Sequence, residues 1–202
     1  METSERAMWD RRYSGAELVW KADPNRFVVA ELRDVRPGRA LDVACGEGRN
    51  AVWLAEQGWK VTAVDFSSVA IEKGRALAQI RHVAVRWLVE DLAEWQVKPA
   101  SFDLVLVAYV HVVRAERAVL HRAMADAVAP GGTMLVVAHD ATNLTEGVGG
   151  PQDPERLFRP EDVVADVAGS GLDVVRAGTV TRDVPGAERP AIDALVRLVR
   201  PR

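Results

Sequence analysis

Apolar runs and polar breaks alternate along the chain with two distinct periods. "RALDVA" (39–44) is a short, nearly continuous apolar run, the mark of a buried strand. "RNAVWLAEQG" follows, with Ala51, Leu54, Ala55 and Gly58 on one helical face and Gly58 placed to stop the helix. "KVTAVD" (60–65) is β-branched and apolar, a second strand. "SSVAIEKGRALAQI" (67–80) predicts a helix capped by Ser67 or Ser68, with Ala70, Gly74, Leu77 and Ala78 aligned. "VAVRWLVED" (83–91) and "FDLVLVAYV" (102–110) read as strands. "RAERAVLHRAMADAV" (114–128) reads as a helix, and "PGG" (130–132) as a turn into the strand "TMLVVAH" (133–139). Upstream, "NRFVVAELRDV" (25–35) predicts one helix.

After Asp140 the periodicity stops. Residues 140–159, "DATNLTEGVGGPQDPERLFR", predict a long loop, and long loops in compact domains are commonly functional. "PEDVVADVAGSG" (160–171) opens a helix on Pro160 with acids in its first turn. "LDVVRAGTVT" (172–181) and "IDALVRLVR" (192–200) are two strands with a short connection, which makes them antiparallel. Near-continuous apolar strands separated by single helices indicate a parallel sheet covered on both faces. The expected architecture is therefore α/β: a Rossmann-like three-layer sandwich with a mostly parallel seven-stranded sheet and an antiparallel C-terminal strand. Residues 1–202 read as a single domain.

Composition narrows the function classes. A net charge of −3 gives no field for nucleic acid or an anionic membrane. No stretch approaches the roughly 18 apolar residues of a membrane span, and "METSERAMWDRRYSG" lacks the apolar core of a signal peptide. The single cysteine, Cys45, excludes an intrachain disulfide and a cysteine-rich metal site. These features predict a cytoplasmic protein with no nucleic-acid or membrane partner and no metal; the sequence leaves its oligomeric state open.

The stretch "LDVACGEGRN" (41–50) carries the chemistry. It joins the first strand to the following helix, at the carboxyl edge of the sheet where such folds bind ligands. Gly46-Glu47-Gly48-Arg49-Asn50-Ala51 fits the dinucleotide pattern G-x-G-x-x-A, and Asp65 stands 19 residues beyond Gly46, where a ribose-binding acid belongs. Two cofactor classes satisfy that pattern. Asp42, inside the first strand, is awkward beside a pyrophosphate and suits an ammonium group. A third acid, Asp91, ends the third strand, followed by Leu92.

"ALDVACGEGRN…VTAVDFS…VEDL…FDLVLV…PGG" resembles the class I S-adenosylmethionine-dependent methyltransferases. "MWDRRYSG", "PNRFV", the "HV" after the fourth strand and "HD…GGPQDPERLFRPEDV" resemble the small bacterial branch that includes tellurite-resistance and thiopurine methyltransferase-like proteins. Ala44 stands where the usual motif has its first glycine. The resemblance implies that Asp42 orients the methionine ammonium, the Ala44 carbonyl accepts from it, and Gly46 and Gly48 admit the methionine part. It implies that Asp65 accepts the ribose hydroxyls, Asp91 the adenine amino group, and the Leu92 N–H meets a ring nitrogen. Arg49 pairs with the methionine carboxylate, or is an exposed helix-start arginine. Phe66 and Ala108 join the cofactor set, as do Trp9 and Tyr13 on residues 1–36, a cap segment that also carries Trp20.

The implied reaction is in-line transfer of a methyl group to a small-molecule acceptor. His111, past the fourth strand, and His139, past the fifth, are the candidate catalytic bases, and 140–159 the substrate-side lid, made mobile by Gly147, Gly149 and Gly150. Thiols and other chalcogen nucleophiles fit the branch. Trp53, Trp59, Trp87 and Trp95 read as packing, Cys45 as a small buried residue, and His121 as a solvated helix residue. Two alternatives stand beside this reading. One is a nicotinamide-dependent short oxidoreductase, although no Tyr-x-x-x-Lys pair is present. The other is a non-catalytic S-adenosylmethionine-binding partner protein.

Overall fold

The computed structural model describes residues 3–202; residues 1 and 2 of the expected cap segment lie outside the described residues. The elements run α1 (Thr3–Tyr13), α2 (Arg26–Leu32), β1 (Arg39–Val43), α3 (Arg49–Glu56), β2 (Lys60–Asp65), α4 (Ser68–Ile80), β3 (Val85–Val89) and β4 (Phe102–Ala108). They continue as α5 (Arg114–Asp126), β5 (Val128–His139), α6 (Asn143–Glu146), a 3-10 turn at Pro154–Arg156, α7 (Pro160–Asp166), β6 (Asp173–Arg182) and β7 (Ala191–Val199). The seven strands form one sheet in the order β3-β2-β1-β4-β5-β7-β6. β1 and β3 each pair with β2 in parallel, whereas β7 runs antiparallel to both β5 and β6. This is the expected mixed sheet, Rossmann-like and mostly parallel.

The chain divides into two compact units: Met1–Lys98 with Phe102–Leu106, and Pro99–Ser101 with Val107–Arg202. In the first, Leu41, Val43, Ala63 and Val64 of β1 and β2 are buried together with Leu54 of α3 and Ile71 of α4. The parallel register sets Val43 beside Val64 and Asp65 beside Val89, so the carboxyl ends of the three strands lie level. In the second, Leu135, Val137, Leu195 and Leu198 of the antiparallel ladder are buried with Met124 of α5 and Val163 of α7.

Three local readings are revised by the structure. Residues 3–13 form α1, which the periodicity did not predict because its sequence, TSERAMWDRRY, is polar nearly all round. "PGG" does not turn: Gly131 N donates to Arg200 O (2.8 Å) and Arg200 N to Gly132 O (2.9 Å), and the ladder carries these residues inside β5. His121 is not solvated. It is 1% exposed, and its Nδ1 lies 2.9 Å from Asp166 Oδ2, an oxygen that Arg117 Nε also reaches at 2.7 Å.

The aperiodic segment 140–159 is fastened along its length. Buried Asn143 accepts from Ile192 N at 2.7 Å and donates to Gly149 O at 2.9 Å. Asp140 Oδ1 takes the Thr142 N–H at 2.8 Å, and Asp140 bridges to Phe158. Two of the glycines expected to loosen the loop, Gly147 and Gly150, let it pack closely instead, whereas Gly149 faces open space. At Gly150, φ is +77°, and a Cβ there would stand 2.7 Å from the His139 ring.

Candidate functional site

The first unit holds the glycine loop. It leaves β1 through Ala44 (φ +49°) and turns at Gly46 (φ +54°) and Gly48 (φ +78°) into α3. A non-glycine residue in the left-handed region stores backbone strain and is a frequent mark of a ligand site. Cys45 N bonds to Val64 O at 2.9 Å, which ties the loop to β2. Gly48 serves packing as well as turning: a Cβ on it would lie 2.3 Å from the Trp87 ring, which also fills the space over Gly74.

All three strand-tip acids accept from backbone, and Asp65 and Asp91 leave no buried oxygen without a partner. Asp65 accepts from Gly46 N through Oδ2 and from Ser67 N through Oδ1, both at 2.8 Å. Burial raises its pKa, and these two bonds counter that rise. Asp91 Oδ1 accepts from Ala93 N at 3.0 Å, and its Oδ2 is 3.8 Å from Arg6 of α1. Asp42 differs. It is 1% exposed, and its Oδ2 has no hydrogen-bond partner. Burial pushes its pKa up to about 7, against a hydrogen bond from the Ala51 backbone and the charge of Arg49. The Cys45 thiol is driven well above its ordinary range by burial and by Asp42 and Asp65, so it is no nucleophile at neutral pH.

Residues 3–25 are strapped to this loop. Glu47, buried beneath it, accepts from Val19 N and Trp20 N, each at 3.1 Å, and from Lys73 Nζ at 3.0 Å. Asn50 Oδ1 accepts from Asn25 N at 2.9 Å, Ser67 Oγ donates to Asp10, and Lys73 Nζ donates to Glu17 O. Tyr13 is buried, with Trp9 stacked on it at 5.6 Å and its hydroxyl 3.1 Å from where a Gly46 Cβ would stand. Trp9, Tyr13, Ala44, Gly46 and Asp65 therefore gather at one place, and Phe66, Arg49 and Leu92 are half-buried. Glu47 and Asn50 were missed because the glycine pattern treats them as variable positions. An acid flanked by two glycines was the available signal.

The second unit holds the candidate bases, with Ala108 half-buried at the end of β4. Tyr109, at φ +58°, follows β4 and donates its hydroxyl to Asp193 Oδ2 at 2.7 Å. Arg182 Nε donates to the same oxygen at 2.8 Å. The His111 and His139 rings stack 5.3 Å apart, and Tyr109 tilts against both. His111 Nδ1 lies 3.2 Å from Arg156 O, so Nδ1 carries the proton, and Nε2 is buried without a partner. Burial first, and His139 second, lower the His111 pKa to about 4. The sequence pointed to both histidines as candidates and not to Tyr109, Arg182 and Asp193, which the structure brings beside them. Asp193 had a readable signal, an acid inside the apolar run "IDALV". Among the described residues no group of three or more His, Cys, Asp and Glu side chains could hold a metal, and no helix is long and apolar enough to cross a membrane.

Residues 40–132 match the methyltransferase domain family model. An uncharacterized methyltransferase of Mycobacterium tuberculosis is 35% identical over 109 residues, 54% of each chain. This chain thus spans about half the length of that relative. A structure from work on converting a disulfide bond into a thioacetal group during echinomycin biosynthesis superposes with a TM-score of 0.78 at 20% identity, over 98% of this chain and 93% of that one. Magnesium protoporphyrin IX methyltransferase from Synechocystis PCC 6803, solved with bound SAH, superposes with a TM-score of 0.70 at 17% identity, over 98% and 95%. These structural likenesses establish the fold.

Proposed function

We propose that the chain transfers a methyl group from S-adenosylmethionine to a small-molecule acceptor by in-line displacement. The observation that carries this is the buried Asp42 oxygen without a partner, beside a strained loop that opens a helix. A buried carboxylate oxygen left without a partner is costly. An ammonium group supplies the missing partner and keeps the acid ionised, whereas a pyrophosphate would repel it. This favours S-adenosylmethionine over a nicotinamide dinucleotide.

When bound, S-adenosylmethionine supplies a methyl group on a sulfonium that leaves as a neutral thioether. The chain's task is then chiefly alignment, which accounts for roughly 7–11 kcal/mol of barrier in favourable cases. Asp42 and the Ala44 carbonyl would hold the ammonium, and Gly46, Gly48 and Arg49 would meet the rest of the methionine. Asp65 keeps lone pairs for the ribose hydroxyls beyond its two backbone bonds. Asp91, Leu92 and Phe66 would meet the base, and Trp9 and Tyr13 would cover the cradle. In this reading 1–202 is one domain, with 1–36 as its cap and 140–159 as its substrate-side loop.

His111 and His139 are the base candidates. With a pKa near 4, His111 is the weaker of the two at removing a proton, which suits an acceptor that is already nucleophilic. A thiol or other chalcogen meets that demand better than an alcohol. The sulfur chemistry named for the echinomycin neighbour and the likeness to the tellurite-resistance and thiopurine branch point the same way. A non-catalytic binding protein would have no use for a buried histidine pair with an open nitrogen.

Calorimetry with S-adenosylhomocysteine tests the cofactor. The wild-type chain is expected to bind it and to give no heat with NADH, and Asp42→Asn is expected to weaken binding by about 10- to 100-fold. No heat with the wild-type chain overturns the proposal. A screen of methyl-donor consumption over thiols, chalcogen oxyanions, phenols and amines then assigns the acceptor.

A further inference from the structure

We infer that Asp193 is a positioning residue for proton removal: it holds His139 with Nδ1 protonated, so that Nε2 is free to take the acceptor's proton. This rests on the methyl transfer proposed above and selects His139, rather than His111, as the base.

Asp193 is 0% exposed and sits directly across the β5–β7 ladder from His139. A carboxylate inside an apolar strand is retained at a cost unless its oxygens are used. Oδ2 is used twice, by the Tyr109 hydroxyl and by Arg182 Nε. Oδ1 lies 3.2 Å from His139 Nδ1. That contact is short but off-line, and neither atom completes an aligned hydrogen bond. Catalytic bonds are often slack before ligands arrive and tighten in the complex. A carboxylate only accepts, so the nitrogen facing it has to carry the proton. The acid is ionised to do this. Burial opposes its charge, but His139, Tyr109 and Arg182 together hold its pKa below the ordinary value.

His111 lacks this support. Its Nδ1 meets the Arg156 carbonyl rather than a carboxylate, and Arg156 and His139 both oppose a positive charge on it. An imidazolium at His139 would stand against Asp193, with Arg182, Tyr109 and His111 as its other polar neighbours. Gly150 closes over the ring, where any Cβ would clash at 2.7 Å, and so fixes its plane. The step balances simply. The acceptor's X–H proton would pass to His139 Nε2, the freed pair on X would bond the methyl group that S-adenosylmethionine supplies when bound, and the former bonding pair would stay with the departing thioether. Solvent later takes the proton.

Long-range proton–nitrogen NMR reads the tautomer without cofactor or acceptor. In the wild-type chain His139 is expected as a single Nδ1–H tautomer, and in Asp193→Asn as a mixture. With the acceptor from the screen, Asp193→Asn should lower kcat by about 10- to 100-fold and leave KM for S-adenosylmethionine within about twofold. It should also displace the acid limb of the pH–rate profile, and Asp193→Glu should recover part of the loss. A wild-type His139 protonated on Nε2, or a tautomer unchanged in Asp193→Asn, overturns the inference. If Asp193→Asn does not fold, the wild-type tautomer together with loss of turnover in His139→Gln decides. The underlying reading fails separately, through absence of heat with S-adenosylhomocysteine while the tautomer is as expected.

Discussion

The two regions that carry chemistry handle their buried polar groups in opposite ways. Around the glycine loop, every carboxylate oxygen of Asp65 and Glu47 has at least one partner among the chain's own N–H groups and Lys73. Around the histidine pair, His111 Nε2, His139 Nδ1, Asp140 Oδ2 and Asp193 Oδ1 are all buried without an aligned partner. A saturated group holds shape, and an unsatisfied one invites a proton or a ligand. In the loop Asp42 is the exception, and for that reason it carries the cofactor proposal.

The strongest way to break this contrast is Asp65→Ala, which would leave Gly46 N and Ser67 N without their acceptor. It should cost about 2–4 kcal/mol in urea unfolding. His111→Gln, which gives up one bond to the Arg156 carbonyl and has no Nε2 partner to lose, should cost only about 1 kcal/mol. Similar values for the two variants would erase the distinction. Asn143→Ala should come next, at about 1–3 kcal/mol, with hydrogen exchange rising at Val148–Gly150 and Ile192. Unchanged exchange there would mean that the loop is held by something other than this side chain.

The smallest effects lie in pH dependence, and their signs differ between the regions. Asp42 keeps its proton up to about 7 when folded and loses it near 3.8 when unfolded, so its contribution to stability falls as pH climbs through that window. His111 refuses a proton above about 4 when folded and binds one below 6.5 when unfolded, so its contribution rises with pH between those values. Wild-type-minus-variant stability for Asp42→Asn and His111→Gln should therefore slope in opposite directions between pH 4.5 and 6.5, each by at most about 2.5 kcal/mol. Slopes of the same sign would refute the assignment of one of the two groups.

Much of the fold was readable because buried parallel strands announce themselves as apolar runs, and "LDVA", "VTAVD" and "LVLVA" did so. The helix at Thr3–Tyr13 was not readable, since tertiary bonds such as Asp10 to Ser67 hold a segment that has no apolar stripe of its own. Asp42 and Asp193 gave the same signal, an acid inside a strand, but the glycine loop beside Asp42 drew attention and nothing near Asp193 did. Tyr109 was hidden for another reason. Its role follows from a left-handed backbone turn that no local sequence pattern specifies at a tyrosine.

Glu47 and its neighbours also bear on how the chain is made. Synthesis proceeds from the amino end, so residues 10–25 emerge well before Glu47, Asn50, Ser67 and Lys73, which hold them. Until about residue 73 has left the ribosome, Trp9, Tyr13 and Trp20 have no seat. An interval of exposed aromatic surface is thus written into the order of translation.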